Sequence, residues 1–85
     1  MIKEAKGFPT LMQVRRKYNE THTQHLTSQD IARAAGVSLS LEFLMEIGGK
    51  VDRESANKVL SALSEKTGIQ YTLENVQVNL IETYS

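Results

Sequence analysis

The segment Leu26-Thr27-Ser28-Gln29-Asp30-Ile31-Ala32-Arg33-Ala34-Ala35-Gly36-Val37-Ser38 leaves a folding chain few options. Thr27 is a natural helix N-cap, and Asp30 three residues on can reach back to it and favour the positive helix end. Ser28–Ala35 is therefore expected as a short helix, with Ile31, Ala34 and Ala35 on its inner face. Gly36 stands where a left-handed residue closes a helix. Val37 is expected as a buried plug, and Ser38 can cap the next helix at once. The small alanines let that second helix approach closely.

The rest of the chain extends this pattern. Gly7 and Pro9 mark an irregular lead-in. Thr10, with Gln13 as its capping-box partner, opens a helix over Leu11–Asn19 with Leu11, Val14 and Tyr18 at helical spacing. The polar run Glu20–His25 ends it. After Ser38 a helix over Leu39–Ile47 is stopped by Gly48-Gly49. Asp52 caps a longer helix, Arg53–Lys66, whose Ala56, Val59, Leu60 and Leu63 form a core-facing stripe. Gly68 ends it, and Thr72 opens a short turn of helix over Tyr71–Asn75. Val76, Val78 and Leu80 alternate with Gln77 and Asn79, a strand signal. A lone strand is unstable, so Val76–Ile81 must pair with the lead-in or across a dimer, or fail to form.

Two capped helices joined through Gly36-Val37-Ser38 make a helix-turn-helix, whose second helix can lie in a DNA major groove. LTSQDIARAAGVS resembles the core of the Xre, Cro and phage-repressor class, and less closely the LacI-type headpiece. The resemblance covers about residues 10 to 68. It implies a mainly α, lambda-repressor-like domain of four to five helices with a short C-terminal strand. The domain spans residues 10–70, between a lead-in over 1–9 and a turn and strand over 71–85. It also implies a small, sequence-specific, DNA-binding transcriptional regulator. Ser38, Leu39, Ser40 and Phe43 would face the groove of double-stranded DNA, Ser28 and Gln29 would touch phosphate or a base edge, and Lys50 and Arg53 would bind the backbone. A homodimer would double the short footprint of one helix. The strand is a candidate for pairing across that dimer.

Leu39–Glu46 departs from that family pattern, because it carries no Arg, Lys, Asn or Gln. Glu42 stands where these families usually carry Ile or Val. A carboxylate there is costly unless it points outward or pairs. One resolution rotates the helix so that Leu41, Leu44 and Met45 take the core positions. The other gives the surface a different role, that of a protein-interaction module of antitoxin or anti-repressor type, using an apolar Leu39/Phe43 face.

Charge weighs on the same choice. Lys and Arg balance Asp and Glu, for a net charge of zero. By position, residues 1–33 carry six basic groups against three acidic, a balance of +3, and residues 34–85 carry four against seven, a balance of −3. Phosphate contacts need only a local field, so a neutral chain can still present a DNA face.

Other chemistries are not expected. The chain has no Cys, so disulfides and thiolate metal sites are excluded. His22 and His25 lack further ligands for a metal. Gly48-Gly49 lacks phosphate-loop spacing. No nucleophile motif points to an enzyme, and no cofactor is implied. Arg15, Arg16 and Lys17 read as a solvated helix face, and Tyr18, Tyr71 and Tyr84 as core or interface. No apolar run reaches membrane-spanning length, and the N-terminus lacks the apolar stretch of a secretory leader, so a cytoplasmic location is expected.

Overall fold

The computed structural model describes residues 7–81, so residues 1–6 of the lead-in and Tyr84 lie outside the described residues. Four helices follow one another: α1 (Leu11–Thr21), α2 (Ser28–Ala35), α3 (Leu39–Glu46) and α4 (Arg53–Thr67). Each begins where a side chain satisfies the orphan N–H groups of its first turn. Thr10 and Gln13 form a reciprocal capping box on α1, and Thr27 and Asp30 form one on α2. Ser38 accepts from the N–H of Leu41 at 3.1 Å, and Asp52 from that of Ser55 at 3.0 Å. The Thr27 N–H holds the Asp30 carboxyl below its usual range, and the Ser55 N–H does the same for Asp52. α1 runs to Thr21, two residues past its expected end.

Gly36 takes φ +74°, and its N–H reaches back to the carbonyls of Ala32 and Arg33. The Val37 N–H donates to the Ala32 carbonyl at 3.1 Å. The chain thus reverses within two residues, which only a residue free of a Cβ does without strain. Gly68 closes α4 in the same left-handed way.

The core joins all four helices. Leu11 and Val14 of α1, Ile31 of α2, Met45 of α3 and Ala56, Val59, Leu60, Ala62 and Leu63 of α4 pack together with Leu26, Val51 and Val76. α2 is the hub, packing on both α3 and α4. Two details of its inner face differ from expectation. Ala34 is exposed and Ala32 takes the buried position, while Val37 is only half-buried. A short helix presents a narrow buried stripe, and here Ile31 and Ala32 occupy it.

The expected strand Val76–Ile81 does not form; the segment is instead tied down at two isolated parallel bridges, Thr10 with Gln77 and Val51 with Leu80. The Gln77 N–H donates to the Pro9 carbonyl, and Val51 exchanges backbone hydrogen bonds with Asn79 and Ile81. The reason is the length of its partners. Thr10 runs straight into α1, and Val51 is followed at once by the Asp52 cap, so neither side can propagate a ladder. These bonds tie the segment to the lead-in and to the stretch just before α4 within one chain. Residues 71–75 form a hydrogen-bonded turn after Thr72 rather than a helix.

Candidate functional site

α3 is seated with its acids inward. Glu42 and Glu46 are buried beside Met45. Leu44, which the rotated alternative placed in the core, is exposed, and Leu41 is half-buried. The rotation is therefore not how the chain resolves Glu42. The outward face carries Leu39, Ser40, Phe43, Leu44 and, at the C-cap, Ile47. Their large apolar members are 48%, 47%, 39% and 59% exposed for Leu39, Phe43, Leu44 and Ile47. No charged side chain of α3 faces outward.

Glu46 is held by two neighbours. Arg15 of α1 grips it in a fork, Nε to Oε2 at 2.9 Å and Nη2 to Oε1 at 3.1 Å. Ser28, the first residue of α2, donates its hydroxyl to Oε2 at 2.7 Å. Paired geometry of this kind offsets the cost of desolvating both charges. Burial opposes ionisation of Glu46, but contacts from Glu42, Arg15 and Ser28 outweigh it and hold the carboxyl below its usual range. Arg15 is thus not a solvated cation. Its side chain is 18% exposed, and it ties α1 to α3.

Glu42 is fully buried and has no formed hydrogen bond to either oxygen. Burial, and then the adjoining Glu46 carboxylate, push its carboxyl up to about 9. That carboxylate adjoins Glu42 without the geometry of a formed hydrogen bond. At neutral pH Glu42 is therefore uncharged, and the buried cluster holds one carboxylate against one guanidinium.

Of the residues singled out in the sequence, Ser38, Leu39, Ser40 and Phe43 share the N-terminal half of α3 and are all exposed. The Ser38 hydroxyl also serves as the α3 cap. Gln29 is exposed in the first turn of α2. Ser28 is half-buried, and its hydroxyl proton is directed at Glu46 rather than outward. Lys50 is exposed beyond the Gly48-Gly49 turn. That turn packs tightly, because a Cβ on Gly49 would strike the Leu44 side chain. Arg53 is exposed at the first position of α4, on the rim of an open groove of about 870 Å³ between α4 and the end of α2. Among the described residues no cluster of His, Asp or Glu could hold a metal ion. Among the same residues no helix is long and apolar enough to cross a membrane.

The sequence reading missed the Arg15–Glu46–Ser28 cluster. A signal existed: Glu42 and Glu46 flank Met45 on one face of α3, so a buried Met45 draws both acids inward and calls for a cation. Comparison with family models, curated proteins and solved structures finds no match to this chain.

Proposed function

We propose that this chain is a small DNA-binding transcriptional regulator of helix-turn-helix type, with α3 as the helix that enters the major groove. The observation that carries the reading is the inward seating of Glu42 and Glu46. It removes the carboxylates that phosphate would repel and leaves an uncharged α3 surface behind the tight Gly36 reversal. Ser38 and Ser40 supply hydroxyls for base edges or phosphate, and Leu39 and Phe43 supply apolar contact for thymine methyl groups. Gln29, Lys50 and Arg53 fix the frame on the backbone. Ser28 acts through Glu46, holding α2 and α3 in register. A short footprint favours action as a homodimer on paired half-sites. A cytoplasmic location fits this role.

The test is binding of fluorescently labelled duplex DNA, read by anisotropy as salt rises. Each lost Lys or Arg phosphate contact flattens the plot of log affinity against log salt by about 0.9. Lys50→Ala with Arg53→Ala should flatten it by about 1.8 per protomer. An unchanged slope and unchanged retention at low salt overturn the reading.

A second reading rests on a specific observation. Leu39, Phe43 and Leu44 of α3 and Ile47 at its C-cap are large apolar side chains left exposed at roughly helical spacing. Such a patch also suits a protein partner, in an antitoxin or anti-repressor role. Binding through it would respond little to salt and would be lost with Phe43→Ala.

A further inference from the structure

A cavity of about 440 Å³ lies between α1 and the chain that follows α4, on elements other than α3. Its size is that of a small-molecule site. Val14 and Tyr18 of α1 form one apolar wall, and Ile69 and Tyr71 form the other. Both walls are fixed by local bonds. The Tyr18 and His22 rings are stacked at 3.8 Å and 14°, and His22 Nδ1 lies 2.9 Å from the Tyr18 carbonyl. Gly68 turns the chain out of α4, and the Tyr71 N–H then donates to Ser64 Oγ at 2.8 Å.

The polar groups fall along one line of α1. Gln13, Lys17 and Thr21 recur every four residues, so they share a face. The Gln13 amide oxygen accepts from the Thr10 N–H at 2.9 Å, which leaves its amide nitrogen as a donor. Lys17, one turn on, adds an ammonium. A donor and a cation beside a slot lined by two tyrosines and an imidazole suit a flat ring that carries an anionic group.

We propose that this cavity is a binding site for a small planar aromatic carboxylate, its ring between Tyr18 and Tyr71 and its carboxylate on Lys17 and Gln13. The inference does not rest on the DNA reading, because no residue assigned to DNA lines the cavity.

Titration of the full chain with naphthoate, followed by ¹H–¹⁵N NMR, tests it. Naphthylmethanol, the same ring without the charge, is the comparison. The expected result is saturable shifts centred on Lys17, Tyr18, His22, Ile69 and Tyr71. Naphthylmethanol and the Lys17→Gln variant should each weaken binding by about fivefold. Ile69→Glu places a carboxylate at an exposed rim position and should abolish it, while the remaining spectrum keeps its dispersion. Ile69→Ala, which adds no charge, should weaken it less. The proposal is overturned by any of three outcomes: no saturable shift up to about 1 mM, shifts centred on Leu39 and Phe43 instead, or equal binding of acid and alcohol.

Discussion

Replacing Glu42 by Gln should change how stability depends on pH. The native carboxyl is pushed up to about 9 by burial and by Glu46, against an ordinary value of 4.5. A raised carboxyl means that folding takes up a proton in the window between those two values. Stability is therefore full below about pH 4.5 and falls as pH rises toward 9. Each pH unit inside the window costs about 1.4 kcal/mol. Between pH 5 and 7.5 the loss comes to about 3 kcal/mol once incomplete titration near the lower edge is allowed for. Asp30, Asp52 and Glu46 are shifted the other way. Their contributions are present above the unfolded carboxylate range and fade only on stronger acidification, so they leave this window to Glu42.

Against a typical total of roughly 5–15 kcal/mol, such a loss is large. It corresponds to a fall in Tm of roughly 10 to 25 °C. Urea unfolding followed by circular dichroism at pH 5.0, 6.0, 7.0 and 7.5 measures it, with Glu42→Gln alongside. The amide cannot ionise, so the variant's stability should be nearly flat where the parent's declines. The slope is the decisive quantity, because an unpartnered buried amide has its own fixed cost. Parallel slopes in the two proteins would refute the reasoning.

Other expectations follow from the same packing. Arg15→Ala leaves Glu46 buried without its guanidinium and should destabilise by about 3–5 kcal/mol, read by urea unfolding at neutral pH. Arg15→Ala with Glu46→Gln should recover part of that loss, which a merely exposed Arg15 would not show. Gly36→Ala meets open space for its Cβ but keeps φ +74°. Its cost is strain alone, about 1–2 kcal/mol by thermal melting. Gly49→Ala has the opposite cause, collision with Leu44, and should disturb the NMR resonances of Leu44 and its neighbours.

The parts of the fold that were legible in the sequence are those set by local chemistry. Thr10, Thr27, Ser38 and Asp52 cap helices where a short polar side chain precedes an apolar pattern. Gly36 and Gly68 close helices where a positive φ is needed. The stripe of α4 could be read because its helix is long enough to show its period. The failures needed tertiary information. Val76–Ile81 has a strand's alternation, but whether a strand forms depends on the length of its partners, and Thr10 and Val51 offer too little. Arg15 sits among cations that stay exposed, Arg16 and Lys17, and only the seating of α3 distinguishes it from them. Glu42 has no local solution in its own helix, and the groups that bear on it include Arg15 and Ser28, which are distant in sequence. For the candidate interface, the exposure of Ser38, Leu39, Ser40, Phe43, Lys50 and Arg53 was foreseeable. The inward direction of the Ser28 hydroxyl was not.

The most direct test of the proposed role is where DNA touches the protein. Duplex DNA titrated into ¹⁵N-labelled protein at low salt should shift the amides of Gln29, Ser38, Leu39, Ser40, Phe43, Lys50 and Arg53, and the shifts should fade as salt is raised. Shifts confined to other surfaces, or none at low salt, would contradict that role.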